Sequence, residues 1–307
     1  MCVNATDETA QRKLTKALKT RSKTMNAKDF TYGIELELQC PNAVIRDQHL
    51  NIGAYHVGTQ VPFLPAGWTA QKDGSLNAGA GYTPCEIVSP ILRGEEGILE
   101  IIQVLKKLNE LGFKVAGNAG THVHVLFDPT WPADKLAKLI SIVSYLEQGI
   151  YATTGTHRRE RNGYCNGIRK YGDQPKAKSE MDGNRYNLLN ITNLVRNIRP
   201  TVEFRAFSGS LNATKIVGWI QLCLGVVEKS LSTKCLPVWK PAKAKCFWAK
   251  QGEGQTELER CLSYLGWSTG YAKNAEGKEY GIITDIIPLK EIKKELRRLA
   301  AKYDAEV

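Results

Sequence analysis

Several patterns that identify common classes of protein are missing from this chain of 307 residues. Its eight cysteines are scattered, and no two have the C-x-x-C spacing of a zinc knuckle or a redox pair. The chain has no signal-peptide pattern and no apolar run long enough to span a membrane; the longest candidate is Ile216 to Val227, which contains Gln221. These absences predict a soluble, cytoplasmic protein with reduced thiols and no membrane partner.

The two commonest nucleotide-binding signatures are absent as well. The sequence contains neither G-x-x-x-x-G-K-[ST] nor a usable G-x-G-x-x-G segment, so P-loop and Rossmann sites are disfavoured. A nucleotide would therefore have to bind through another architecture. Histidine is also scarce, with only 5 residues, yet two of them stand at positions 122 and 124.

Composition and charge place the chain among globular proteins with an anionic partner. It is 42% hydrophobic and 24% charged, and its net charge of +11 predicts affinity for nucleic acid, nucleotide or an acidic substrate. Residues 151–200 hold ten Lys or Arg against four acidic residues, a net charge of +6. This segment is either a solvated basic loop or part of a phosphate site.

A change of hydrophobic period along the chain separates candidate strands from candidate helices. Strict alternation from Thr31 predicts a strand, and similar segments are found at 85–91, 121–127 and 201–207. Apolar residues at intervals of three and four predict helices at 94–111, 134–151, 212–231 and 289–303. Gly112 is the expected stop of the first helix. We divide the chain into a peripheral basic segment, 1–28, a main domain, 29–232, and a basic C-terminal appendage packed on that domain, 233–307.

Three candidate strands carry polar side chains at alternate positions. The pairs are Glu35 and Glu37, His122 and His124, and Glu203 and Arg205. Residues two apart on a strand project in parallel about 6.5–7 Å apart, so a sheet joining these strands would have one apolar and one polar face. A solvated outer face accounts for any single pair, but three pairs together favour an active site.

Carboxylates combined with imidazole are typical ligands of a hard divalent ion. Oxygen-rich ligation favours Mg²⁺ or Mn²⁺ over zinc, and such ions usually accompany phosphate chemistry in which Arg stabilises the transferred group. The same ligands also suit a metal-dependent phosphotransferase or phosphodiesterase. A nucleic-acid-binding protein without catalysis is a further alternative, although acidic residues on its binding face would repel phosphate.

Seven short motifs follow one another over residues 30–230. They are Gly33 to Glu37, Asp73 to Ser75, Glu86 to Pro90, Gly120 to Val125, Arg159 to Cys165, Asn184 to Tyr186 with Asn190, and Thr201 to Arg205. Each is unspecific alone, but in this order, with a helix after the Ser-Pro element, the chain resembles the amidoligases of the carboxylate–amine ligase superfamily. That superfamily shares a fold with glutamine synthetase and glutamate–cysteine ligase.

The resemblance implies an α+β fold whose antiparallel sheet holds metal ions and ATP on a concave face, with helices on the other side. It also implies a ligase in which ATP phosphorylates a substrate carboxylate and an amine then attacks the acyl phosphate. The acid and the amine are expected to be amino acids, peptides or cell-wall-type fragments. A nucleic-acid partner is not expected.

By analogy with glutamine synthetase, the resemblance also assigns roles to single residues. Glu35, His122 and Glu203 would hold one Mg²⁺ ion, and Glu37 and Glu86 another. Arg205 would contact the substrate carboxylate or the phosphoryl group, and His124 is a spare ligand or substrate contact. Arg159, which Arg158 or Arg161 could replace, and Arg185 are the expected phosphate neutralisers, and the expected pocket residues are Asp73, Ser75 and Asn190.

Overall fold

The computed structural model describes residues 25–169, 176–234, 256–268 and 272–306. Most of the predicted N-terminal segment and the Lys- and Trp-rich stretch 235–252 lie outside these ranges. The conclusions below concern the described residues.

One sheet of eight strands organises the described part of the chain, and every pairing between its strands is antiparallel. The strands are β1 (Thr31–Pro41), β2 (Thr59–Gln60), β3 (Thr69–Gln71), β4 (Tyr82–Val88), β5 (Leu92–Arg93), β6 (Gly120–Leu126), β7 (Leu189–Asn190) and β8 (Thr201–Ser208). From edge to edge the order is β2-β3-β4-β1-β6-β8-β7, and β5 pairs with the beginning of β1.

The alternation seen in the sequence gives the sheet two unlike faces. Ile34 and Leu36 of β1 point to the apolar side and are fully buried, as is Ile87, the partner of Leu36 on β4. Glu35 is paired with His122 on β6, and Glu37 with Glu86 on β4, so their side chains share the opposite face. We call this the open face.

A β-bulge interrupts the pairing of β8 with β6. Thr121 is paired with Phe207 and Val123 with Phe204. The one β6 residue between these pairs therefore lies opposite two β8 residues. The extra residue lies among those between Phe204 and Phe207, and it resets the alternation of β8. Phe207 therefore reaches the apolar face, where its ring stacks on Trp219 with the centroids 5.0 Å apart.

Nine α-helices lie in the described part of the chain, and the buried side chains of the long ones form one core with the apolar face of the sheet. Gly112, with φ +78°, follows the second helix as its predicted stop. None of the described helices is long and apolar enough to cross a membrane. The helices are α1 (Asn42–Asp47), α2 (Gly94–Glu110), α3 (Ala133–Ala152), α4 (Arg158–Arg161), α5 (Lys178–Asp182), α6 (Thr192–Val195), α7 (Ala213–Ser232), α8 (Glu257–Tyr264) and α9 (Leu289–Ala305).

The last two helices extend the helical layer. α8 packs against α3, and α9 lies on α7 and α3. The contact between α9 and α7 is close, since a Cβ added at Gly218 would lie 3.0 Å from the Ile292 side chain. Ile292, Leu296 and Leu299 bury the apolar side of α9 in the common core. The predicted α+β class, an antiparallel sheet with helices on one side, is confirmed.

Candidate functional site

Four strands, β1, β4, β6 and β8, bring the predicted metal ligands together on the open face. Glu37, Glu86, His122 and Glu203 are buried there, and Glu35 is half-buried between them. Strand parity therefore places all five side chains as the sequence predicts, although their role as ligands stays a prediction. His124 shares the same face, opposite Glu203 of β8.

The donor atoms in this cluster lie at short distances from one another. Nδ1 of His122 is 3.0 Å from a Glu35 oxygen and 3.5 Å from a Glu203 oxygen, and its Nε2 is 3.3 Å from Glu37. Nε2 of His124 is 3.0 Å from the other Glu35 oxygen. Two groups of three, Glu35 with Glu86 and His122, and Glu35 with His124 and Glu203, each have ligand atoms within 4.8 Å of one another.

The geometry of these contacts fits a divalent cation. Nε2 of His122 and Nε2 of His124 are buried and make no hydrogen bond with the described residues, although each lies close to a carboxylate oxygen. Buried polar atoms are normally hydrogen-bonded, so two imidazole nitrogens that face carboxylate oxygens at 3.0 and 3.3 Å without a well-formed hydrogen bond suit a shared ion. The oxygen-rich donor set favours Mg²⁺ or Mn²⁺.

The pKa values of three side chains in the cluster are shifted by burial and by the charges of their neighbours. Burial and the Glu35 carboxylate raise the pKa of Glu86 to about 9. Burial opposes protonation of His124, yet the Glu35 carboxylate raises the His124 pKa to about 9. At Glu35 itself burial opposes ionisation, but His124 and His122 outweigh it and hold its pKa well below the usual range. A bound cation would replace the protons that now relieve this repulsion.

Polar neighbours fix the outer ligands of the cluster. The Asn190 amide donates to Glu203 at 2.7 Å, and the Gln71 amide donates to Glu86 at 2.5 Å. The backbone N–H of Gly120 donates to Glu37. Asn190 was expected as a pocket residue, but Gln71 was not expected, because the three residues of β3 are too few to show an alternating pattern.

Arg205 lies beside the cluster and is itself buried. Its Nη1 donates to Glu203, and its Nε donates to the backbone carbonyl of Tyr164 at 3.3 Å. The Glu203 carboxylate offsets the cost of burying the guanidinium and keeps it charged. Tyr164 was missed because a carbonyl acceptor has no signature in the sequence.

The structure places the other two predicted arginines differently from each other. Arg159 is 3% exposed and its Nη2 donates to the Arg205 backbone carbonyl at 2.7 Å. Arg185 lies at the surface, where Nη2 donates to the Tyr55 hydroxyl at 3.3 Å and the guanidinium lies over the Tyr186 ring. The assignment of either residue to phosphate stays a prediction.

Asp73 and Ser75 lie in the exposed turn after β3. The Asp73 carboxylate accepts from the Ser75 N–H at 2.8 Å and from its hydroxyl at 2.7 Å, which is the geometry of an Asx turn. The Asn118 amide joins this turn to the segment before β6 by donating to the Ser75 carbonyl at 2.7 Å. These contacts shape the turn; the predicted role of both residues as pocket residues has no further support.

The family model described as "Putative amidoligase enzyme" matches residues 3–181 and 168–227. The chain belongs to this amidoligase family, which confirms the resemblance drawn from the order of the motifs. No curated protein sequence matches the chain.

Several solved structures are similar at low identity. A bifunctional glutathione synthetase from Pasteurella multocida is 13% identical with a TM-score of 0.46, and the match covers 94% of this chain and 49% of that one. Plasmodium falciparum glutamine synthetase is 10% identical with a TM-score of 0.41, and the match covers 96% of this chain and 76% of that one. A chain in the complex of the prokaryotic ubiquitin-like protein Pup with its ligase PafA is 11% identical with a TM-score of 0.33. That match covers 92% of this chain and 60% of the other. The chain thus spans about half the length of the first of these proteins, and similarities of this size identify neither fold nor activity.

Proposed function

We propose that the protein is an ATP-dependent carboxylate–amine ligase. The observation that carries this proposal is the pair of carboxylate–imidazole groups that share Glu35 beside the buried Arg205, on the open face of a sheet in an amidoligase-family chain. Such a site combines cation ligands with a fixed guanidinium, which is the equipment required to stabilise a transferred phosphoryl group.

Glu35, Glu37, Glu86, His122 and Glu203 would hold Mg²⁺, or Mn²⁺, with His124 as a further ligand or a substrate contact. When bound, the ions would neutralise charge on the phosphates of ATP. Gln71 and Asn190 fix the outer carboxylates through their hydrogen bonds, and an oriented ligand binds a metal more tightly than a mobile one.

In the proposed reaction, a carboxylate oxygen of the acid attacks the γ-phosphorus of ATP and ADP leaves. The amine nitrogen of the second substrate then attacks the acyl carbon, phosphate departs with the C–O bonding pair, and the nitrogen loses a proton. Arg205 would hold the carboxylate or the phosphoryl group through the guanidinium hydrogens not directed at Glu203 and Tyr164. Arg159 and Arg185 would neutralise phosphate, and Asp73, Ser75 and Asn190 would line the pocket.

The acid and amine are amino acids, peptides or cell-wall-type fragments in this proposal. The reaction would take place in the cytoplasm, which fits the five free thiols found in the described part of the chain.

The test measures ADP and phosphate release with Mg²⁺ and ATP across panels of acids and amines, singly and in pairs, with the product identified by mass spectrometry. We expect release to require both an acid and an amine, and to be lost in Glu203→Gln. The matched control is Glu110→Gln, an exposed glutamate on α2. ATP hydrolysis indifferent to acid and amine, or phosphodiester cleavage without ATP, would contradict the proposal.

A further inference from the structure

The β8 bulge lies beside the residue on which the proposed chemistry depends most. Arg205 is one of the residues between the paired positions Phe204 and Phe207. Its backbone N–H donates to the Leu188 carbonyl at 2.8 Å, and its own carbonyl accepts from Arg159 Nη2 at 2.7 Å. A bulge disturbs the regular ladder of hydrogen bonds, so a side-chain donor at this point fixes the local backbone and the direction of the Arg205 side chain.

The position opposite the Arg159 guanidinium is a glycine. A Cβ at Gly120 would lie 2.8 Å from Arg159 Nη2 and 2.9 Å from its Cζ, closer than any ordinary contact. Gly120 also donates its N–H to Glu37. The Arg159 guanidinium is therefore fitted between the first residue of β6 and the bulge, where it touches the backbone of two strands that carry the cluster.

Arg159 stands on a helix that cannot be stable alone. α4 is a single turn of four residues, and isolated helices of that length do not form in water. The C-terminal helix supplies the missing support. The Tyr303 hydroxyl donates to the Glu160 carboxylate, and the Tyr303 ring packs on the His157 ring with the centroids 3.7 Å apart.

A second contact from the same end of the chain fixes the residue before α4. One oxygen of the Glu306 carboxylate accepts from the His157 N–H at 2.6 Å, and the other accepts from the Thr156 hydroxyl at 2.9 Å. Tyr303 and Glu306 therefore hold both the beginning and the middle of the turn that carries Arg159. Both residues lie beyond the last residue matched by the family model.

We propose that Tyr303 and Glu306 are positioning residues that act through Arg159 on the β8 bulge and so set Arg205 against Glu203. In this assignment Arg159 is a positioning residue, which replaces the phosphate-neutralising role given to it above, and the C-terminal helix takes part in the active site without touching substrate. The inference rests on the proposed function in one respect, namely that Arg205 meets the substrate.

The test is a double-mutant cycle of Tyr303→Phe with Arg159→Ala, read by ligase kcat. Displacements of about 1 Å in a catalytic group cost up to about 10²-fold, so we expect Tyr303→Phe alone to lower kcat by about tenfold with little change in Mn²⁺ affinity. In the Arg159→Ala background it should lower kcat no further, because the two residues act in series. Arg298→Gln, an exposed change on the same helix, is the control.

Gly120→Ala gives a second way to displace Arg159 if Arg159→Ala does not fold. Its matched control is Gly183→Ala, since a Cβ there would meet nothing within 4 Å. Equal losses of kcat from Tyr303→Phe in both backgrounds, or a lower melting temperature with unchanged kcat, would overturn the inference.

Hydrogen exchange separates failure of this inference from failure of the proposed function. Even if the wild-type protein ligates no substrate, Tyr303→Phe should speed backbone amide exchange at residues 204–207. In the Arg159→Ala background, Tyr303→Phe should not speed that exchange any further. Unchanged exchange at the bulge in Tyr303→Phe would refute the positioning role independently of any activity.

Discussion

At the scale of single residues, Glu35 is the centre of the open face. It belongs to both groups of candidate ligands, and its two oxygens face different imidazoles, His122 and His124. Glu86 and Glu203 belong to one group each. Loss of Glu35 should therefore weaken both halves of the cluster, whereas loss of Glu86 or Glu203 should weaken one.

Arg205→Ala is expected to lower turnover by at least about 10²-fold, the scale seen when a preorganised charge stabiliser is removed. Arg205→Lys should not restore the full rate, because an ammonium cannot reproduce the two-sided contact of the guanidinium with Glu203 and Tyr164. Steady-state kinetics measure both variants, and thermal melts check that they fold. Wild-type turnover in Arg205→Ala would mean that Arg205 serves only as the structural ion-pair partner of Glu203.

Metal affinity is expected to rise with pH up to about 9. Glu86 and His124 both have a pKa raised to about 9, so below that pH an incoming cation must displace their protons, and affinity falls as pH falls. The same two groups stabilise the metal-free fold most at low pH and lose that contribution as pH rises through about 9. Mn²⁺ titrations between pH 7 and 9, with Glu86→Gln as the control that releases one proton fewer, measure the effect. A pH-independent affinity would contradict it.

At the scale of elements, alternation in the sequence was enough to predict which strand side chains share the open face. Glu35, His122 and Glu203 were identified in this way because a strand's period of two is visible within five residues. The β8 bulge was not predicted: the alternation of β8 holds from Val202 to Ala206 and breaks where apolar Phe207 follows Ala206, but such a break does not locate a bulge without the partner strand. Gln71 and the Tyr164 carbonyl were missed because their contribution arises only when distant segments meet.

The C-terminal helix offers a test at the same scale. Leu296 of α9 is fully buried in the common core, so Leu296→Ala should lower the free energy of unfolding by about 2–5 kcal/mol. Lys294→Ala, at an exposed position of the same helix, should change it by less than about 0.5 kcal/mol. Urea unfolding measures both. Equal stability in the two variants would mean that α9 does not contribute to the core, and the predicted boundary at residue 233 would gain support.

At the scale of the whole molecule, charge is distributed unevenly. The chain carries a net charge of +11, yet the open face gathers the carboxyl groups of Glu35, Glu37, Glu86 and Glu203. A basic protein with an acidic site attracts anions over its surface but admits them to the site only together with cations. This distribution suits a magnesium complex of a nucleotide better than bare phosphate.

ATP with Mg²⁺ should therefore raise the melting temperature through mass action, by about 2.7 kcal/mol of added stability when ATP is at 100 times its Kd. Nucleic acid should bind weakly, with an affinity that falls steeply as salt increases. Thermal melts and filter binding at two salt concentrations measure these effects. Sub-micromolar, sequence-dependent binding of DNA or RNA at physiological salt, without any shift from ATP, would favour the nucleic-acid-binding alternative.

The outermost strands of the sheet are very short. β2 and β7, which lie at opposite ends of the strand order, contain two residues each. An exposed strand edge recruits other chains through its row of unpaired N–H and C=O groups, and two residues offer almost none of these. Within the described residues, the two ends of the sheet are therefore poor templates for growth by strand addition, and partly unfolded chains are the expected starting point of any aggregation.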